Sequence, residues 1–434
     1  MVKVSVIIPT YNVEEFLGEC LECIVNQTLK DIEIICINDG STDKSLEILN
    51  DYASNDNRIK VISQENKGHA AASNKGMDLS TGEYLYLMDS DDLLELNALE
   101  ETYNYAEKKS ADFVLFQSMN YSQDENKVYK SWIYSMDEVA DFIGDSVVDY
   151  KDLGDLIFKI PVTPWSKLYN NNFIKEIGVR FPEGLIFDDN IFFWDVLFNA
   201  KRIAFYKKYL FTRRWYDYSS TMAGDLRFID SIAINNLMID RFKKYGAFDV
   251  FKETLYNRKI DLNYLRFVKI NSEFKKEYFD ALQEDYFKII RDGDYEDYMS
   301  VLNSRNKHIL NSCLEAKTCK EFKYERAYWD AQFELMGKKS EVDALKSENK
   351  ILKNDYSKLN NEYDDVKKDL NKFKNENTKL KNEVSSYKSK NKKLDDSVKS
   401  LNRRNTILHK EISEYKSSNS WKITKPLRVI KRKL

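Results

Sequence analysis

Tyr84-Leu-Tyr-Leu-Met-Asp-Ser-Asp-Asp92 is the stretch on which the reading of the chain turns. Its apolar half is long enough for one buried strand and stops at Met88, and Asp89, Asp91 and Asp92 follow at once. Carboxylates a few ångströms apart repel, so such a cluster either spreads into solvent or gathers round a hard divalent cation that prefers oxygen ligands. A plainer alternative is an acidic turn capping a helix that starts near Leu93, because aspartate is a favoured N-cap. The neighbouring sequence decides between the two.

That sequence repeats a strand-and-helix unit. Lys3 to Ile8 is β-branched without alternation, as a strand buried on both faces reads, and Pro9-Thr-Tyr-Asn12 ends it. Val13, Phe16, Leu17, Cys20, Leu21 and Ile24 recur at helical spacing, with Asn12 and Glu15 placed as a capping box. Ile32 to Ile37, Arg58 to Ser63 and Glu83 to Met88 are further strands, separated by a helix through Leu46 and Leu49 and a small-residue helix from about Ala70 to Leu79. Alternation of this kind predicts a mostly parallel α/β sheet with right-handed crossovers. Ligands of such sheets bind outside the carboxyl ends of the strands, where Thr10 to Asn12, Asn38 to Ser41 and Asp89 to Asp92 all fall. Three loops converging on one edge favour a site over a helix cap. No Gly-x-Gly-x-x-Gly turn or Gly-Lys-Ser/Thr loop follows the first strand, which disfavours a dinucleotide or P-loop site.

Bulk properties narrow the remaining classes. At 434 residues the chain is too long for one core. Its 68 basic and 71 acidic residues nearly cancel, so nothing draws it toward nucleic acid. No apolar run reaches the length of a membrane span, and the first residues have too short an apolar core for a signal peptide, so a cytoplasmic location is expected. The odd cysteine count and the absence of a second nearby pair read as reduced core cysteines. His69, His308 and His409 are too far apart in sequence to suggest a histidine-based metal or triad site.

Val4-Ser-Val-Ile-Ile-Pro-Thr-Tyr-Asn12, Ile37-Asn-Asp-Gly-Ser-Thr-Asp43, Gly68 through Asn74-Lys-Gly76, Thr81-Gly-Glu-Tyr84 and Met88-Asp-Ser-Asp-Asp92 together resemble glycosyltransferase family 2, with its GT-A nucleotide-diphospho-sugar transferase fold. The resemblance runs in order through the first hundred residues. It implies that Pro9, Tyr11 and Asp39 line a nucleobase pocket, with Tyr11 packing on the base and Asp39 accepting from it. It also implies that Asp89 and Asp91 place a Mn²⁺ or Mg²⁺ ion on the diphosphate of a nucleotide-sugar donor, UDP-sugar above all. One departure stands out, because the family's usual Arg-Asn is Ser73-Asn74 here. Lys67 or Lys75 is then the candidate to supply the missing positive contact, against ordinary solvated charge.

Further along, Asp112 to Met119 reads as another strand, and Phe181-Pro-Glu-Gly-Leu-Ile-Phe-Asp-Asp-Asn190 leads into an apolar helix from Ile191 to Phe198. Asp188-Asp189 there suits a helix N-terminus. It also resembles the family's acidic pair. Displacing a nucleotide needs a base for the acceptor hydroxyl, so Asp189 is read as base and Asp188 as the group that positions it. Arg213-Arg214-Trp215, followed by Ser219-Ser220-Thr221, resembles a basic loop that closes on donor phosphate. A plain surface loop is the alternative.

From Val342 to Tyr415 a seven-residue repeat runs without Gly or Pro, with Leu345, Leu352 and Leu359 opening one core set and Val342, Asn349 and Tyr356 the other. This spacing specifies a left-handed coiled coil on the order of 110 Å long, and the asparagines in one set favour a parallel homodimer. The tail from Trp421 carries six basic residues and no acid, with Ile423, Leu427, Ile430 and Leu434 along one side. It reads as a peripheral contact with anionic membrane, at the inner face of the cell membrane. The expected organisation is a nucleotide-sugar-binding half at 1–110, an acceptor-binding half at 111–221, a helical extension at 222–337, the coiled coil at 338–417 and the basic amphipathic tail at 418–434.

The reading is a metal-dependent, inverting hexosyltransferase acting on a cell-surface glycan or lipid-linked acceptor. A non-catalytic coiled-coil tether with a degenerate nucleotide-sugar-binding head is the alternative, motivated by Ser73. A nucleotidyltransferase is disfavoured, since no glycine-rich basic loop follows the first strand.

Overall fold

A computed structural model describes residues 1–216, 224–375 and 381–417. The tail at 418–434 and Ser219 to Thr221 of the basic segment lie outside the described residues. Two compact units are present, Met1–Leu314 and Glu315–Leu434.

The first unit is built on a nine-stranded mixed sheet. β1 (Val4–Thr10) and β2 (Ile32–Asp39) are buried at every residue, as their unalternating β-branched composition requires. β3 (Ile59–Gln64) and β4 (Tyr84–Leu87) complete a parallel half in the order β3-β2-β1-β4. Thr10 pairs with Asn38 and Ile7 with Leu87, so the exits of β1, β2 and β4 end at one level. α1 (Glu14–Val25), α2 (Ser45–Asn55) and α3 (His69–Leu79) make the crossovers. α3 is made of small residues because it presses directly on β1: a Cβ at Gly76 would lie 2.2 Å from Ile7 Cγ2.

Beyond β4 the sheet changes sense. β5 is Leu93–Leu94, and the helix expected near Leu93 begins later, as α4 (Ala98–Lys109). The delay has a reason: Leu93 and Leu94 pair with Thr212 and Phe211, a long-range ladder the local sequence does not announce. β6 (Phe113–Ser122), β7 (Lys127–Lys130), β8 (Lys167–Asn170) and β9 (Ile203–Trp215) extend the order to β4-β8-β6-β9-β5, with β7 on β6. β8 runs antiparallel to both β4 and β6, whereas β6 and β9 run parallel. The capping box expected at Asn12 does not form. Asn12 takes φ 48° and its Oδ1 accepts instead from the Thr42 N–H at 2.8 Å, joining the exits of β1 and β2.

The helices Asp230–Lys244, Phe248–Lys269 and Lys275–Arg291 follow in the same unit, packed through Phe242, Phe251, Leu255, Tyr278 and Leu282. The second unit holds the helices Cys319–Asn375 and Lys381–Ser417, the latter returning along the former, with Arg404 Nη2 2.8 Å from Glu348 Oε1. Among the described residues no helix is long and apolar enough to cross a membrane.

Candidate active site

One side of the site forms at the exits of β1 and β2. Pro9 is buried within β1, and the chain then turns outward so that Tyr11 is 49% exposed. Asp39, buried at the end of β2, accepts at Oδ1 from Gln64 Nε2 (2.8 Å) and the Lys67 N–H (2.9 Å), and at Oδ2 from the Gly68 N–H (2.8 Å). Its carboxylate therefore fixes the loop between β3 and α3, while Oδ2 keeps acceptor capacity for a ligand. Lys67 contributes its backbone to this arrangement and its side chain is exposed, as is that of Lys75.

The acidic loop after β4 gathers Asp89, Asp91 and Asp92, whose carboxylate oxygens lie within 4.8 Å of one another. Asp92 is buried and accepts from the Arg214 N–H at 2.6 Å; Asp91 Oδ2 accepts from the Tyr216 hydroxyl at 2.6 Å. Burial is the main cause that lifts the Asp89 pKa to about 6, with His69 opposing and Asp91 adding to the rise. Burial, then Asp91 and Asp89, push Asp92 well up. Crowded, half-dehydrated oxygens of one sign are a donor set that suits Mn²⁺ or Mg²⁺.

Arg213 and Arg214 are the two residues before Trp215, the last of strand β9, and so lie on a strand and not a loop; strand alternation sends them to opposite sides. Arg213 stacks over Trp215 at 4.2 Å and donates to the Tyr134 hydroxyl at 2.6 Å, and its charge reaches Asp89. Arg214 is buried, donating to the Asp91 carbonyl (2.9 Å), Gln123 Oε1 (2.8 Å) and Glu19 Oε2 (2.5 Å). This corrects the expectation that both hold phosphate: Arg214 is a strut under the acidic loop, with its guanidinium turned into protein.

Opposite the acidic loop stands the N-terminus of the helix Asp189–Asn199. Phe187, just before it, is held at φ 64°, a strained conformation for a bulky residue, between the Phe228 ring and the Arg266 guanidinium. Asn74 clamps the approaching chain, accepting from the Phe181 N–H and donating to its carbonyl, each at 2.9 Å. Asp188 is buried. Asp189 has its Oδ1 buried without a hydrogen-bond partner, and burial, then Asp188, raise its pKa to about 8 against His69.

Two side chains in this site escaped sequence reasoning. His69, first residue of α3, stands between the two acidic groups, with Nδ1 3.2 Å from Asp188 Oδ2 and Nε2 3.8 Å from Asp89 Oδ1. Burial opposes its charge, but the hydrogen bond and field of Asp188 outweigh burial and hold the imidazolium well above its ordinary pKa. The Ser73 hydroxyl lies 3.5 Å from its Nε2, so the position where the family carries arginine abuts a different cation. Lys167, at the start of β8, is fully buried and donates to the carbonyls of Pro161 (2.7 Å) and Thr163 (2.6 Å). Burial lowers its pKa to about 7, while the nearby Asp189 charge opposes the drop. Neither residue stands in a local pattern; the sequence separation from His69 to Asp188 hid the first, and a lysine inside an apolar segment hid the second.

Known proteins align with this architecture. A family model for glycosyl transferase family 2 matches residues 5–162. Glycosyltransferase GlyG of Streptococcus pneumoniae is 35% identical over 216 residues, which cover 49% of this chain and 71% of GlyG. The cholesterol galactosyltransferase of Borreliella burgdorferi is 32% identical over 252 residues, covering 57% of this chain and 69% of that protein. Among solved structures, residues 1–349 of Staphylococcus aureus TarS in complex with UDP superpose with a TM-score of 0.56 at 19% identity, covering 76% of this chain and 91% of that one. At that identity the likeness shows the fold.

Proposed function

The chain belongs to glycosyltransferase family 2, and from that premise we propose that it is a metal-dependent, inverting enzyme moving a sugar from a UDP-sugar to a cell-surface glycan or lipid-linked acceptor. One observation carries the proposal: the imidazole of His69 is within reach of both Asp89 and Asp188, so a donor-side acid cluster and an acceptor-side acid pair face one mouth. The complexes of TarS with UDP and with UDP-GlcNAc support the choice of donor.

Tyr11 stacks on the base at the exit of β1, and Asp39 accepts from it while holding the neighbouring loop. Asp89 and Asp91 would hold a Mn²⁺ or Mg²⁺ ion, with Asp92 as the buried anchor of their loop. When bound, such an ion neutralises charge developing on the leaving diphosphate. Arg213 adds positive charge on the same side. Asp189 takes the proton of the acceptor hydroxyl as its oxygen forms the bond to the anomeric carbon. The bond from that carbon to the diphosphate oxygen breaks with its electron pair leaving on the nucleotide, so a single displacement inverts the anomeric centre. With its pKa raised to about 8, Asp189 is mostly protonated at pH 7, so transfer draws on its ionised fraction, which grows with pH and takes a proton far more avidly than an ordinary carboxylate near 4. Asp188, hydrogen-bonded to His69, positions the pair.

A thermal-shift series with UDP-sugars, with and without Mn²⁺, tests the reading, since a ligand of the native state raises the melting temperature. A shift that needs Mn²⁺ and is lost in Asp91→Ala is expected. Equal shifts in EDTA and in Asp91→Ala would remove the metal from the mechanism, and no shift with any nucleotide sugar would favour the tether.

A further inference from the structure

The helix Asp189–Asn199 begins without the usual closure. Its N-cap residue, Asp188, makes no side-chain hydrogen bond to the first turn and gives its carboxylate to His69 instead, with Oδ2 3.2 Å from Nδ1. A helix end left open in this way frays unless something outside it takes over. The preceding residue adds to the demand, since Phe187 stands at φ 64°, where a bulky side chain is held only at a cost. What holds the segment comes from the helices that follow the sheet. Asp230, first residue of the helix Asp230–Lys244, accepts at Oδ2 from the Ile186 N–H at 3.0 Å. Arg266, in the last turn of the helix Phe248–Lys269, lays its guanidinium over the Phe187 ring at 4.1 Å and over the ring of the buried Phe228 at 5.0 Å. The two rings are 5.8 Å apart, so a flat cation and two aromatic faces form one cluster around the strained residue.

We propose that this clamp, Arg266 on Phe187 and Asp230 on Ile186, presents the Asp188–Asp189 pair at the opening of the site, which makes Arg266 a positioning residue for transfer and the helical extension a part of the machinery. The inference rests on the reading of Asp189 as the base. The link from clamp to acids is short. The Phe187 carbonyl accepts from the Asn190 N–H at 3.2 Å and the Asp188 carbonyl from the Ile191 N–H at 3.1 Å, so both residues belong to the first turn of the helix. Released from the clamp, Phe187 relaxes by about 120° in φ to an ordinary value near −60°. That rotation breaks the turn at the two acids and carries their carboxylates away from His69. Asn74 does not prevent it, because it grips the chain upstream at Phe181, and Gly184, at φ 80°, lies between as a free joint. Transfer then scales with the fraction of molecules whose acid pair is in place.

The test uses the full-length chain. Arg266→Met should lower kcat by about tenfold or more, with UDP binding in the presence of Mn²⁺ and the KM for donor within about twofold of wild type. Arg266→Lys, which keeps the charge but not the flat stack, should recover part of the loss. The clamp acts through a strained residue, so relieving the strain should uncouple it. Glycine takes a positive φ freely, and adding Arg266→Met to Phe187→Gly should cost no more than about twofold beyond Phe187→Gly alone. A second readout needs no turnover. The chain has three histidines, and the ring signals of His69 in NMR should move in Arg266→Met as the hydrogen bond to Asp188 is lost, with those of His308 and His409 in place. Wild-type kcat in Arg266→Met with an unmoved His69 signal would overturn the proposal. So would a loss of the same size whether Phe187 is present or replaced, because Arg266 would then act otherwise than through that ring. If Asp189→Asn transferred normally while the His69 signal still moved in Arg266→Met, the clamp would stand and the assignment of the base would fall.

Discussion

Two buried lysines, each beside an aspartate, show how differently one pair of residue types can be used. In the helices after the sheet, Lys259 Nζ lies 2.8 Å from Asp285 Oδ2, and Asp285 Oδ1 accepts from Asn236 Nδ2 at 2.6 Å. That pair is answered by charge: the Lys259 ammonium sits against Oδ2, an oxygen with no well-aligned hydrogen bond of its own, and Oδ1 has a donor in Asn236. Near the mouth of the sheet, Lys167 gives its protons to the carbonyls of Pro161 and Thr163, and Asp189 senses its charge without being hydrogen-bonded to it. Asp189 Oδ1 has no partner at all. A pair that holds a fold neutralises itself, whereas a carboxylate left short of partners beside a remote cation keeps its appetite for a proton.

The largest effect expected from this difference follows removal of the unsatisfied charge. Asp189→Asn should lower transfer by about 10²–10⁴-fold, as loss of a general base does, with donor binding unchanged. It should also raise the melting temperature, because the folded state disfavours the ionised form. The sign follows from linkage: with the folded pKa near 8 and the unfolded value near 4, the folded wild type holds the extra proton between those limits and loses stability as pH rises through them. The melting temperature of the wild type should therefore fall relative to Asp189→Asn from pH 4 to pH 8. A variant that transfers normally would make Asp189 as structural as Asp285, and if Asp188→Asn alone lost transfer, the two roles would be exchanged.

The Lys259–Asp285 pair should respond in stability and not in chemistry. Asp285→Ala leaves the Lys259 ammonium buried without its partner, which costs about 3–5 kcal/mol. Chemical denaturation should show that loss, while kcat of the folded fraction stays within about twofold, since no reacting group is touched. A fall in kcat with little loss of stability would place this part of the helical extension in the reaction and erase the distinction between the two lysines.

What could be read from the sequence follows the range of the interactions. The strands β1, β2 and β4 and the loops at their exits were legible because unalternating β-branched runs and polar breaks are local signals. Asp188 and Asp189 were legible as acids preceding an apolar helix. The job of each arginine was not, because it depends on β9 running on through Trp215, where alternation turns Arg214 inward beneath Asp91 and Arg213 toward Tyr134. His69 was dismissed for the distance between histidines in sequence, yet the sheet brings α3 and the helix Asp189–Asn199 to one opening. The heptads were legible as long helices, but the return of Lys381–Ser417 along Cys319–Asn375 was not, because a seven-residue period is the same whether a helix packs on its own chain or on another.

The smallest effect belongs to Lys167, and it separates the two regions most finely. Lys167→Met removes a cation that favours the ionised form of Asp189, so the Asp189 pKa should climb further above about 8. Transfer at pH 6, where Lys167 is still charged, should fall by about two- to threefold as the ionised fraction of the base shrinks, and the difference from wild type should vanish as pH rises past 7. The pH profile is the deciding readout, because a merely structural lysine would lower activity at every pH alike. Stability changes in the opposite sense with pH. The Lys167 pKa is near 7 when folded and 10.5 when unfolded, so the unfolded chain binds the extra proton between those values and the wild type gains on the variant as pH rises through them. Lys259→Met should leave the midpoint of the pH profile where it is, because its charge is answered by Asp285 and does not reach the mouth. If both lysine variants moved that midpoint equally, the field at Asp189 would be a property of the whole unit and not of its one buried neighbour.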